Sequence, residues 1–139
     1  MNWLIRPWRH AFDYQGRSPR REYWLFWGQF ILGMVLIGAL TGLISDLTGS
    51  AGKEPGLEMI PFWIFVAASL VVGLSTTIRR FHDQDKSGLY IFVYFIPFVG
   101  GIIFLVLMLM PGTDDLNSWG EDPRLGEDEA HQNVAEIFS

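Results

Sequence analysis

The residue types best suited to acid–base chemistry in this chain lie in one short polar segment, residues 79–88. His82 is followed directly by Asp83, and a histidine can act as a general base. Two arginines precede the pair, so a lipid phosphate would be a natural substrate. Neighbouring residues on a helix do not face each other, and the sequence identifies no nucleophile or orienting group beside them. We therefore favour a structural network and keep catalysis by His82 and Asp83 as the alternative.

Two other polar segments, one before the first long apolar run and one after the last, are expected to join this network. An arginine of the first, Arg17 or Arg20, is expected to pair with Asp83. One of the two arginines that precede His82, Arg79 or Arg80, is expected to pair with Glu22, and such ion pairs would fix the order of the helices. The predicted network comprises Arg17, Arg20, Glu22, Tyr23, Trp24, Arg79, Arg80, His82, Asp83, Ser87, Gly88, Asn117, Gly120, Asp122 and Pro123.

The spacing of Asp83, Asp85 and Ser87 imitates the first half of a calcium-binding EF-hand loop. Such a loop needs a bidentate glutamate at its twelfth position, which here is Tyr94. The calcium interpretation fails, and Ser87 is better suited to cap the helix that follows. The chain has no cysteine, which excludes disulfides and thiolate ligands. We therefore predict neither a metal nor a cofactor.

Three long runs without Asp, Glu, Lys or Arg must position the polar segments. Each has at least the roughly 20 residues that cross a bilayer as a helix. The rest of the 139-residue chain is too small for a separate catalytic domain. We predict an all-α membrane protein with three transmembrane helices and a short N-terminal interfacial helix. The predicted divisions are a basic arm at 1–22 with that interfacial helix, a transmembrane domain at 23–113 with spans at about 23–45, 59–78 and 87–110, and an acidic tail at 114–139.

The third run leaves two paths open, because Pro97, Gly100 and Gly101 interrupt its middle. As one helix, residues 87–110 would cross the membrane with a kink at Pro97. As a re-entrant hairpin, each arm would have about ten residues and reach about 15 Å, half the membrane. We favour the single kinked span. The choice matters because it decides whether the tail lies on the same side as the His82 segment.

The distribution of Arg and Lys predicts the orientation. These residues are concentrated in the N-terminal arm and between the second and third runs. Cytoplasmic segments carry such an excess, so we expect a cytoplasmic N-terminus and, after three spans, a periplasmic tail. On the cytoplasmic face, Arg6, Arg9, Arg21 and Lys86 are expected to attract anionic lipid headgroups. Nucleic acid is not an expected partner, because the net charge is −5.

The polar motifs together resemble a family of small bacterial inner-membrane proteins, the domain of unknown function 805. The resemblance covers residues 5 to 125 approximately and rests on four motifs in order. The matching residues are Gly16, Arg17, Arg20, Glu22, Tyr23 and Trp24; Arg80, His82, Asp83, Ser87 and Gly88; Ile96, Pro97 and Gly100; and Pro111, Gly112, Thr113, Asn117, Trp119, Gly120, Asp122 and Pro123. Leu89 departs from the usual tryptophan, and residues 126–139 look like an addition. The resemblance implies a bacterial inner-membrane location and brings no established activity.

The predicted spans contain no ionisable residue, which argues against a proton-coupled transporter. The leading hypothesis is a non-enzymatic accessory or scaffold subunit that packs against a membrane complex or against itself. One alternative is a small transporter or lipid-handling protein. Another is a membrane enzyme that acts on a lipid phosphate through His82. The expected partners are the bilayer and either other membrane subunits or a second copy of the chain.

Overall fold

The computed structural model describes residues 3–49 and 57–125 of the chain. Within these residues the secondary structure is helical, apart from an isolated bridge between Asn117 and Gly120. The helices are α1 (Arg6–Arg9), α2 (Arg20–Thr48), α3 (Ile60–His82) and α4 (Gly100–Leu109), and 3-10 turns cover Leu57–Met59 and Gly88–Phe95. The predicted all-α class is confirmed.

Two of the described helices, α2 and α3, are long and apolar enough to cross a membrane. Their 29 and 23 residues correspond to about 44 and 35 Å of helix. The extended backbone of Pro19 precedes α2, and Gly49, with a left-handed φ of 69°, ends it. Pro61 lies in the first turn of α3, where its missing N–H removes no intrahelical hydrogen bond. The two helices pack side by side and form the body of the molecule.

A glycine allows α2 and α3 to approach closely. A Cβ atom at Gly33 would lie 2.3 Å from Cζ of Phe65, so the ring fits only because position 33 has no side chain. Phe65 also stacks on Phe30, with 6.0 Å between the ring centroids and 15° between the planes. Aromatic packing around one small residue therefore sets the separation of the two long helices.

The N-terminal arm crosses the pair of long helices. Its helix α1 is a single turn of four residues and lies in the arm where a short helix was predicted. The ring of Trp8 lies 6.0 Å from that of Phe26 in α2 and 6.4 Å from that of Phe65 in α3. The Ser75 hydroxyl lies 2.7 Å from the His10 carbonyl and 2.8 Å from the Asp13 carbonyl. These contacts hold the arm across α2 and α3.

The third apolar run is a hairpin, and the favoured single kinked span is not what the structure shows. Its first arm is the 3-10 turn Gly88–Phe95, and its second arm is α4, which runs back from Gly100 to Leu109. The chain reverses at residues 96–99, where Phe98 has a φ of 67°. Proline has no N–H to continue a helix, and a Cβ at Gly100 would lie 2.4 Å from the Val93 carbonyl oxygen. Pro97 and Gly100 thus permit a close reversal rather than a kink.

Both ends of the hairpin lie where α2 begins and α3 ends. The Arg80 guanidinium donates a hydrogen bond to the Met110 carbonyl, and Arg20 donates to the Leu109 carbonyl at 3.2 Å. Residues 111–125 therefore lie at the same end of the bundle as the N-terminal arm. The predicted placement of the tail on the opposite side does not hold for these residues, because the hairpin replaces a third crossing. Residues 126–139 of the predicted tail lie outside the described residues.

Candidate functional site

Charged and polar side chains are buried together at this end of the bundle. We call this group the polar cap. Its members, each no more than 6% exposed, are Arg17, Glu22, Arg79, Arg80, His82, Asp83, Gln84 and Asp122. Buried charges are costly unless they are paired and hydrogen-bonded. The contacts of each member therefore decide what the cap can do.

Asp83 lies between two guanidinium groups. Arg17 Nε donates to its Oδ1 at 3.1 Å, and Arg80 Nη1 donates to its Oδ2 at 2.5 Å. Burial raises the pKa of the Asp83 carboxyl, while the charges of Arg80 and Arg17 oppose that rise. With a cation on each oxygen, this carboxylate is an anchor for two arginines and is poorly placed to accept a proton from a substrate.

Arg17 connects the N-terminal arm to the segment that follows α4. Besides Asp83, its guanidinium donates to three backbone carbonyls, those of Thr113, of Asp115 at 2.6 Å and of Gly120 at 3.3 Å. The planar fork of an arginine suits such multiple acceptors. One side chain therefore fixes the path of a segment almost a hundred residues away in the sequence.

Glu22 forms a second centre of charge and has no exposed surface. Arg6 Nη1 donates to Glu22 Oε2 at 2.5 Å. Arg79 Nη2 lies 3.1 Å from Glu22 Oε1, close enough for an ion pair but without hydrogen-bond alignment. This centre joins the N-terminal arm, the first turn of α2 and the last turn of α3.

His82 is enclosed by its neighbours. Its ring stacks on Trp119, with 3.6 Å between centroids and 1° between planes. Nδ1 lies 3.2 Å from the Gly16 carbonyl oxygen, so this nitrogen carries a proton when it donates there. The His82 carbonyl accepts a hydrogen bond from Asn117 Nδ2 at 2.9 Å. These contacts give His82 a packing role between the arm and the C-terminal segment.

The segment after α4 docks on the end of α3 through its backbone. Thr113 N–H donates to the Asp83 carbonyl at 2.8 Å. Arg124 donates to Asp122 and, at 3.0 Å, to Asp114. Burial raises the pKa of the Asp122 carboxyl, but the hydrogen bonds and the charge of Arg124 outweigh that effect and lower this pKa. The segment is thereby held both to α3 and to itself.

The remaining predicted residues have different surroundings. Tyr23 is 4% exposed and packs with Phe81 and Met108 in the apolar core beneath the cap. Trp24 is 41% exposed. Ser87 Oγ accepts a hydrogen bond from Leu89 N at 3.3 Å as the N-cap of the first hairpin arm. Gly88 is packed so tightly that a Cβ would lie 2.8 Å from Ile78, while Gly120 and Pro123 lie in the turns of the C-terminal segment.

The four residues that were predicted to attract lipid headgroups have different surroundings. Arg6 is bound to Glu22, and Lys86 Nζ donates to Gln84 Oε1 at 3.2 Å. Arg9 is exposed on α1. Arg21 is also exposed and lines a cavity of about 330 Å³ at the start of α2. A second, mainly apolar cavity of about 380 Å³ lies between α2, α3 and the hairpin.

Sequence reasoning missed two contributors to the cap. Gln84 is 6% exposed and donates to the Leu107 carbonyl, which anchors the second hairpin arm. Arg124 forms ion pairs with Asp122 and Asp114. Its position as the one basic residue of an acidic segment could have predicted this pairing. Across residues 3–49 and 57–125, no group of three His, Cys, Asp or Glu side chains is arranged to hold a metal ion.

The comparisons with known proteins agree with this picture of a membrane protein. The sequence matches the family described as "Protein of unknown function (DUF805)" over residues 11–121. It is 32% identical over 126 residues to the inner membrane protein YhaI of Escherichia coli (strain K12), covering 91% of this chain and 98% of that protein. It is 30% identical over 125 residues to the inner membrane protein YhaH of the same strain, covering 90% and 98%. No solved structure matches.

Proposed function

The chain belongs to the DUF805 family and is an integral inner-membrane protein, and on that premise we propose that it is a non-enzymatic accessory protein. In this proposal it packs against another membrane protein or against a second copy of itself. The polar cap holds the arm, both long helices and the hairpin in one arrangement. The membrane-embedded surface then presents the hairpin to the partner.

The reversal of the hairpin is the observation that carries the proposal. The first arm has eight residues and the second ten, so the reversal lies roughly 15 Å from the cap, near the bilayer middle. Phe98 there is fully exposed, and its N–H has no acceptor among the described residues. Irregular backbone at this depth persists only where protein or a water-filled cavity covers it. A neighbouring protein chain at residues 96–99 would supply that cover.

The polar cap supports an accessory role more than catalysis. Asp83 is bound by two arginines, and His82 is held between Trp119 and the Gly16 carbonyl. A general base has to reach a substrate proton, directly or through one water. The contacts of His82 and Asp83 instead join segments of the chain to one another.

We also propose that the cap faces the cytoplasm. It gathers the arginines of the N-terminal arm and of the α3 end, and Arg and Lys are enriched in cytoplasmic segments near span ends. With two crossings and a hairpin, the segment 111–125 would then be cytoplasmic too.

A photocrosslinking experiment tests the accessory role. The chain would carry a benzophenone amino acid in place of Phe98, and irradiation would be done in intact native membranes. We expect an adduct, either at twice the mass of the chain or to another membrane protein identified by mass spectrometry. The matched control replaces Leu36 of α2, which is 59% exposed on the bundle surface, and should label mainly lipid. If the probe at position 98 forms no protein adduct, as expected for the probe at position 36, the proposal is contradicted.

A further inference from the structure

A cavity of about 330 Å³ lies beside the polar cap, where α2 begins. Among the described residues that line it, three are arginines, Arg20, Arg21 and Arg124, and one is a carboxylate, Asp83. Trp3, which is 7% exposed, supplies an aromatic wall. The cavity therefore combines cations with a shape that can enclose a small group.

The carboxylates at this cavity are already neutralised. Asp83 is bound by Arg17 and Arg80, neither of which lines the cavity. Asp122 and Asp114 are bound by Arg124. Arg20 is exposed and donates to the Leu109 carbonyl, and none of the carboxylates in the described parts of the chain forms an ion pair with it. Among the described residues, the five arginines that line the cavity or bind its carboxylates outnumber these three carboxylates, so their balance of charge is positive.

The start of α2 adds to this positive potential. Pro19 lines the cavity and is the residue before the helix, and its side chain caps no N–H group of the first turn. The first N–H groups of a helix lack intrahelical partners and carry the positive end of the helix dipole. Anions bind at such positions. The arginines and the uncapped helix thus act on the same space.

We propose that this cavity binds a phosphate group, carried by an anionic phospholipid or free in solution. The guanidinium fork matches phosphate oxygens with two parallel hydrogen bonds. Four basic residues were expected to attract lipid headgroups diffusely, namely Arg6, Arg9, Arg21 and Lys86. Only Arg21 among them lines the cavity, so the proposed site is more specific than that diffuse attraction. It goes beyond the accessory role and does not depend on it.

Binding can be measured with the full chain in nanodiscs of phosphatidylcholine at constant ionic strength. Inorganic phosphate is titrated in one series and dihexanoyl phosphatidylglycerol in a second series. The thermal unfolding temperature reports the affinity, since a ligand that binds the native state stabilises it. We expect saturable stabilisation by at least one probe. Loss of one charge-assisted contact in Arg20→Gln should weaken that affinity about tenfold or more. Stabilisation by the lipid alone identifies a headgroup site, and equal saturation by inorganic phosphate identifies a free-phosphate site.

Matched variants separate a site from diffuse attraction. Arg9→Gln removes the same charge from the same basic arm but outside the cavity, so its affinity should stay within about twofold of the wild type. Arg21→Gln serves as a second cavity variant, and it decides the test if Arg20→Gln unfolds at a lower temperature without any probe. Equal weakening by Arg9→Gln and the cavity variants, or no saturable effect of either probe on the wild type, would overturn the proposal. Neither result would affect the crosslinking at Phe98.

Discussion

Asp83 is 1% exposed and holds one arginine on each oxygen, Arg17 from the N-terminal arm and Arg80 from its own helix end. A buried ion pair of this kind adds little net stability relative to a well-packed apolar group. Removing one partner is different, because the remaining charges stay buried without compensation. The contribution of Asp83 is therefore to specify an arrangement, since Arg17 and Arg80 find their acceptors only when the arm, α3 and the C-terminal segment are all in place.

Asp83→Asn should destabilise the protein by about 3–5 kcal/mol, because Arg17 and Arg80 would remain buried without a counter-charge. Asp115→Asn is the control. The Asp115 side chain is exposed, and asparagine tolerates its φ of 61°, so its effect should be within about 0.5 kcal/mol. Unfolding in mixed micelles would measure both. Equal stability of the two variants would mean that the Asp83 carboxylate is not the anchor of the cap.

At the scale of elements, the segment after α4 is held to α3 by a close approach at Gly112. A Cβ there would lie 2.1 Å from Asp83 Oδ2 and 2.8 Å from the Asp83 carbonyl oxygen. Gly112→Ala should therefore displace the segment and cost about 1–3 kcal/mol, as overpacking does. The control is Gly101→Ala within α4, where nothing lies within 4 Å and alanine favours the helix. Hydrogen exchange at the Thr113 amide, which donates to the Asp83 carbonyl, would detect the displacement. Unchanged protection in Gly112→Ala would contradict it.

Local patterns predicted the long elements well and the hairpin poorly. The uncharged runs located α2 and α3, because length and apolar composition suffice for a helix in lipid. The path of the third run depended instead on contacts far away in the sequence, such as Arg80 with the Met110 carbonyl and Gln84 with the Leu107 carbonyl. Similarly, the motif spacing placed Arg17 and Asp83 in one network, but the stacking of His82 on Trp119 follows only from the hairpin.

At the scale of the whole molecule, two long helices and a hairpin place the N-terminal arm and residues 111–125 at one end. The end of α2, including Leu47, lies at the other end of a helix about 44 Å long. A chain of this kind exposes the cap to one compartment only. In our proposal that compartment is the cytoplasm, because Arg and Lys are enriched in cytoplasmic segments near span ends.

The absence of cysteine makes this topology measurable with single-cysteine variants. In cells with a permeable outer membrane, a membrane-impermeant maleimide should label Leu47→Cys, which is 78% exposed. Gln15→Cys and Ser118→Cys, both exposed at the cap, should react only after the inner membrane is opened. Labelling of Gln15→Cys and Ser118→Cys from opposite sides would refute the hairpin, since a third crossing would then separate them. Labelling of both from outside would keep the hairpin and reverse the orientation, which would set the arginines of the cap against the usual charge bias.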